Sequence, residues 1–114
     1  MAEHYILEGH EVVPADLMTW AKWYETVDSR HVARETVEGA DISTVFLGLN
    51  HQYGDGPPML FETLVFGGPL DQEMDRCSTW AEAEEMHRAM CERVRSNAPE
   101  LSRATLAQDK TDAA

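Results

Sequence analysis

Two hydrophobic periods alternate along the chain, and the switches between them mark its elements. Tyr5 to Leu7 is a short apolar run, Glu8-Gly9-His10 reads as a turn, and Val12-Val13 resumes the run as far as Pro14. This predicts a short strand or irregular hairpin. Pro14-Ala15-Asp16 then opens a helix, with proline favoured in the first turn and aspartate complementing the dipole. Leu17, Trp20, Tyr24 and Val27 fall three and four residues apart, which is one helical face running to about Val27. Trp23 widens that stripe, and Lys22 and Glu25 mark the wet side.

The period changes after His31. His31 to Glu38 is β-branched with polar interruptions, Gly39-Ala40-Asp41 supplies a turn, and Ile42 to Leu49 is β-branched and aromatic. Together these predict a β-hairpin. A loop rich in glycine and proline follows from Asn50 to Pro58, and Met59 to Phe66 is a further strand closed by Gly67-Gly68-Pro69. The last two strands are apolar on both faces, which predicts a central place in the sheet with cover on at least part of both sides. A second helix is expected from Thr79 to Ser96. Thr79 and Glu82 stand at capping-box spacing, and Trp80, Ala83, His87, Met90, Cys91 and Val94 share a face. Asn97-Ala98-Pro99 reads as its stop. The order strand, helix, hairpin, strand, helix (β-α-β-β-β-α) predicts an α+β fold, two helices packed on an antiparallel sheet of three to four strands. Residues 1–98 form one domain in this reading. Residues 99–114 form a polar, flexible tail, with room for a helical turn around Leu101 to Leu106.

Composition narrows the function classes. A chain of 114 residues with 43% hydrophobic positions can bury one core. Nine Lys and Arg against twenty-one Asp and Glu leave a formal charge of −12. Direct nucleic-acid binding and attachment to anionic membranes both need a basic face, and both are disfavoured. No stretch approaches the roughly 18–20 apolar residues of a membrane span. The N-terminus lacks the cationic-then-apolar order of a signal peptide, so the expected location is cytoplasmic. Cys77 and Cys91 are too few for a disulfide framework.

Four residues stand out as a possible pocket: His51, Tyr53, Glu62 and His87. His87 lies on the apolar stripe of the second helix, where an imidazole is either a satisfied core group or a ligand or acid–base group. His87 and Cys91 are four apart, a usable metal-ligand spacing, which Cys77 and His51 complete only if the fold converges them. Glu62 interrupts an apolar strand, so it either faces solvent or is buried beside an Arg or His. His51 and Tyr53 sit among flexible glycines in the loop between two central strands. No serine elbow, HExxH, CxxC, phosphate loop or dinucleotide fingerprint is present, so no catalytic residue, cofactor or metal is assigned.

The acidic residues cluster. Asp71, Glu73, Asp75, Glu82, Glu84, Glu85 and Glu92 stand against Arg76 and Arg88 within residues 71–92. Asp71, Glu73, Asp75, Glu82, Glu85 and Glu92 are therefore the expected interaction surface, on the outer face of the second helix and the loop before it. Such a run reads as either a solvated face or a footprint for a basic partner.

ISTVFLGLN, GPPMLFETLVFGGPLD and RCSTWAEAEEMH, with the opening strand and the LMTWAKWYE helix, resemble a group of small proteins encoded by bacteriophages and prophages. The resemblance covers roughly residues 5–95. It implies a phage gene product in a bacterial cytoplasm and brings no activity with it. Three readings follow. The first is an accessory protein that binds a basic host protein or nucleoprotein complex, in the manner of an anti-CRISPR inhibitor. The second is a small enzyme or metal-binding protein centred on His87. The third is a homo-oligomeric accessory protein, a homodimer in the simplest case.

Overall fold

A computed structural model describes residues 3–51 and 54–110, with side chains through Asn97. The fold is α+β: two antiparallel sheets, of two and four strands, with two helices. The opening hairpin pairs β1 (Tyr5–Glu8) with β2 (Glu11–Pro14). Pro14 thus closes a strand rather than opening the helix. The helix α1 (Leu17–Thr26) starts two residues later because Asp16 caps it, its side chain accepting from the Thr19 backbone N–H at 2.8 Å. No residue of α1 is fully buried. Trp20 and Trp23 pack inward, whereas Leu17, predicted on the packed face, is 57% exposed.

The larger sheet is a meander, β3 (His31–Val37), β4 (Ala40–Phe46), β5 (Phe61–Phe66) and β6 (Met74–Cys77) in spatial order. The β3–β4 turn is Glu38-Gly39, both with positive φ (50° and 82°), so Ala40 and Asp41 belong to the strand and not to the turn. Paired positive φ values at a two-residue connection match the twist of the flanking strands. Strand β6 falls where the sequence suggested only an acidic loop, and it forms the sheet edge beside β5. After β4 the chain turns at Gly48 (φ +79°), where a Cβ would lie 2.9 Å from Trp20 Nε1. That close approach and the left-handed backbone both require glycine.

The helix α2 (Trp80–Lys110) packs on one face of this sheet. Its start follows the predicted capping box. Glu82 Nα–H donates to Thr79 Oγ1 at 3.1 Å, and Glu82 Oε1 accepts from the Ser78 and Thr79 backbone N–H groups at 3.1 and 3.2 Å. The predicted stop at Asn97-Ala98-Pro99 is overridden, and the backbone stays helical to Lys110. Pro99 removes one backbone donor, but the residues after it include Leu101, Arg103, Ala104, Leu106, Ala107 and Gln108, good helix formers on either side of weaker ones. No described helix is long and apolar enough to cross a membrane.

Alternation along β4 and β5 decides what meets α2. Ala40, Ile42, Thr44 and Phe46, with Phe61, Thr63 and Val65, are buried under the helix. Their neighbours Glu62, Leu64 and Phe66 lie on the opposite face, in register with Arg76 and Met74 for the first two. Cover was expected on at least part of that second face; Glu62 and Leu64 are half-buried there, while Phe66 and Met74 are 47% and 46% exposed. The core under α2 has two apolar parts. Val37, Ala40, Ile42, Val65, Met90, Cys91 and Val94 form one. Tyr5, Phe46, Leu60, Phe61, Ala83 and Met86 form the other, with Trp23 and Trp80 against it.

Candidate functional site

Between the two apolar parts lies a buried polar crossing. Thr44 stands between Ile42 and Phe46, Thr63 between Phe61 and Val65, and His87 between Ala83 and Met90; all three are buried. Thr44 and Thr63 are opposed in the β4–β5 register, and their hydroxyls meet at 2.5 Å. Thr44 Oγ1 also meets His87 Nδ1 at 2.7 Å, and His87 Nε2 meets Glu35 Oε1 at 2.9 Å. Cys91, one turn after His87, donates its S–H to the same Glu35 oxygen at 3.4 Å. Glu35 is on β3, and its side chain is 54% exposed against 5% for His87. The crossing therefore runs from the middle of the core to solvent.

The proton directions follow from chemistry. The Cys91 thiol and the His87 ring beside it hold the Glu35 carboxyl below its usual 4.5. Glu35 is thus an acceptor only at neutral pH, and His87 Nε2–H is the donor. In the ring's Nε2–H tautomer Nδ1 is an acceptor, Thr44 donates to it, and Thr63 donates to Thr44. In that tautomer every hydrogen in the chain points toward Glu35. Burial first, and then Glu35, push the Cys91 thiol up to about 11. Burial and Glu82 do the same for Cys77, also to about 11. Neither is a nucleophilic thiolate at neutral pH. Both cysteines are free and belong to different parts of the core.

The lowered Glu35 value gives a pH dependence of defined sign. A carboxylate depressed in the folded state contributes stability that is complete above its ordinary 4.5 and is lost as the pH falls through the lowered folded value. Urea unfolding is expected to show the native protein losing stability more steeply below that pH than Glu35→Gln. Equal slopes would deny the coupling.

Three of the four residues expected to form a pocket can be placed, and they do not converge. His87 is in the crossing. Glu62 points to the other sheet face, where Arg76 Nε and Nη2 donate to its Oε2 at 3.1 and 3.0 Å. It is thus the half-buried carboxylate with an arginine partner, and not a neighbour of His87. His51 is exposed in the loop after β4, its backbone N–H donating to Met59. Tyr53 lies outside the described residues. His51 and Cys77 do not join His87 and Cys91; the third group that does is Glu35. Nothing local in the sequence points from Glu35 to a helix more than fifty residues later. The only signal is its place in a strand, two residues before the apolar Val37 and on the same face.

The expected interaction surface is largely occupied by the protein itself. Glu73 pairs with Arg93 at 2.7 Å, Glu92 with Arg95 at 2.6 Å, and Glu85 with Arg88. Glu82 caps α2, Asp71 accepts from the Gly67 N–H, and Asp75 accepts from the Arg76 N–H. A window ending at Glu92 leaves out Arg93 and Arg95, which neutralise much of this face.

A different group of carboxylates has no such partners. An open cleft of about 750 Å³ lies between the β1–β2 hairpin and the start of α2, lined by Glu8, His10, Glu11, Val12, Trp80 and Glu84 among others. Glu8 and Glu11 are directly opposed in the hairpin register, and like charges so placed cost stability. Neither they nor Glu84 forms an ion pair among the described residues. The His10 ring at the hairpin tip stacks on Trp80, with centroids 3.8 Å apart and 6° between planes. This stack pins the hairpin to the helix and fixes the cleft wall. Trp80 Nε1 is buried without an acceptor among the described residues. No family model, curated protein or solved structure matches this chain.

Proposed function

We propose that the protein is a small acidic binding module that docks a basic protein surface, seating a guanidinium or ammonium group in the cleft beside Trp80. One observation carries this reading: Glu8, Glu11 and Glu84 are unpaired and converge on an aromatic wall, while the acids of the outer α2 face are neutralised by its own arginines. A cation placed between Glu8 and Glu11 relieves their repulsion, with the stacked His10 and Trp80 rings as the apolar wall beside it. The formal charge of −12 steers such a partner toward the protein. In the phage setting that the sequence resembles, the fitting partner is a host defence or nucleic-acid-handling complex. Its basic channel would be occluded, an anti-CRISPR-like action. Specificity comes from the placement of the three carboxylates beside the His10–Trp80 stack, and the remaining charge mainly raises the association rate.

The test is calorimetric titration with an arginine-rich peptide at low and high salt. Binding is expected at low salt and should weaken as salt rises. Three exposed pairs at about 0.5 kcal/mol each correspond to about a tenfold loss in Glu8→Gln/Glu11→Gln/Glu84→Gln. Glu85→Gln/Glu92→Gln should bind like the native protein. Absence of binding at low salt, or equal loss in both variants, would count against the cleft.

A further inference from the structure

We propose that Glu35, His87 and Cys91 form a binding site for one divalent transition-metal ion of the zinc class, independent of the acidic cleft. Their ligand atoms, a carboxylate oxygen, an imidazole nitrogen and a thiol sulfur, all lie within 4.8 Å of one another. Tetrahedral zinc holds N and O ligands at about 2.0–2.2 Å and S at about 2.3 Å, which sets the N···O edge near 3.4 Å and the S···O edge near 3.6 Å. The protein already holds these edges at 2.9 and 3.4 Å. Closing on an ion therefore needs a movement of about half an ångström or less along those two edges. The mobile partner is the one that can supply it, because Glu35 is half exposed while His87 and Cys91 are fixed on consecutive turns of a packed helix.

The surroundings suit the ion. Thr44 holds His87 Nδ1 at 2.7 Å, so that Nε2 is the nitrogen presented to Glu35. A hydrogen-bonded second nitrogen is the usual support of a metal-ligating histidine. On binding, the Nε2 proton moves to Nδ1 by way of solvent, and Nδ1–H then donates to Thr44, which turns its own hydrogen toward Thr63. The Cys91 proton leaves to solvent. One proton is released per ion, and the carboxylate and thiolate together balance the charge of a divalent cation. A mixed S, N, O set selects zinc or cobalt over magnesium or calcium, which take oxygen ligands. Three protein ligands leave a fourth position on the Glu35 side for water or a donor atom of a bound molecule.

The experiment uses Co²⁺ as a coloured stand-in, added to untagged full-length protein kept reduced by a non-thiol reductant. One equivalent is expected to bind and to give thiolate-to-metal charge-transfer absorption together with the d–d bands of tetrahedral cobalt. Zn²⁺ should displace it. Cys91→Ser should abolish the charge-transfer absorption and Cys77→Ser should keep it. Glu35→Gln should weaken Co²⁺ binding tenfold or more, and circular dichroism should show each variant folded. The proposal is overturned if the native protein gives no charge-transfer absorption, if the absorption survives Cys91→Ser or is lost with Cys77→Ser, or if Glu35→Gln binds Co²⁺ as tightly as the native chain.

Discussion

Phe46→Ala is expected to remove a large share of the stability of the domain. Phe46 is fully buried at the end of β4, with its ring 5.2 Å from Phe61 and 5.6 Å from Trp23. It joins the helix α1 to the four-stranded sheet, two units that share few other contacts, and through Phe61 and Trp80 it reaches the start of α2. Truncating a buried phenylalanine costs about 3–5 kcal/mol, because the cavity left behind collapses only in part. Native domains hold roughly 5–15 kcal/mol in total. Thermal unfolding followed by circular dichroism should move down by on the order of 10–30 °C. A shift of only a few degrees would mean that α1 and the sheet are held together elsewhere.

The second large effect concerns the polar crossing, and its sign depends on how many members are removed. His87→Ala deletes the acceptor of Thr44 and the donor to Glu35, and it leaves a hole between the two apolar parts of the core. An unsatisfied buried hydroxyl costs about 1–3 kcal/mol, and the cavity adds to it, for about 3 kcal/mol in all. His87→Leu with Thr44→Val and Thr63→Val removes every buried polar group of the crossing together. Replacing all partners with apolar groups of similar shape is close to neutral, so the triple variant should recover most of the loss. Urea midpoints of the two variants check this. If the triple variant is less stable than His87→Ala, the crossing contributes more than satisfied hydrogen bonds. A role in fixing the register of α2 on the sheet would then be indicated.

Much of this architecture was legible because it is local. The α2 stripe from Ala83 to Val94 and the Thr79–Glu82 box are set by neighbours three and four residues apart, and both are found where periodicity puts them. The β3–β4 hairpin was equally clear, but its turn was displaced, since glycine serves the second position of a two-residue turn as readily as the first of a longer one, and its second strand ends at Phe46 and not at Leu49 because the chain turns at Gly48. Strand β6 was hidden because Met74-Asp75-Arg76-Cys77 is polar, as an edge strand open to solvent is apt to be. Position along the sheet, which no local pattern reports, makes it a strand.

The sites were legible only by halves. His87 and Cys91 are marked by their spacing, but Glu35 is contributed by a strand packed from far along the chain. Alternation in β5 separates Glu62 from His87: Thr63 faces the helix, so its neighbour Glu62 faces away. Charge counts located a carboxylate-rich segment but not which carboxylates are unpaired. Glu85–Arg88 and Glu92–Arg95 are readable as helical pairs three apart, whereas the Glu8–Glu11 opposition needs the hairpin register, and Glu84 joins it only through the His10–Trp80 stack.

Titrating ¹⁵N-labelled protein with the arginine-rich peptide at low salt, and following its amide and indole resonances, asks where a basic partner sits. The largest shifts are expected at the Trp80 indole N–H and the backbone amides of Glu8, Glu11 and Glu84, and they should shrink as salt is added. Shifts centred on Glu85 and Glu92 along the outer face of α2, or no shifts at all, would contradict docking at the cleft.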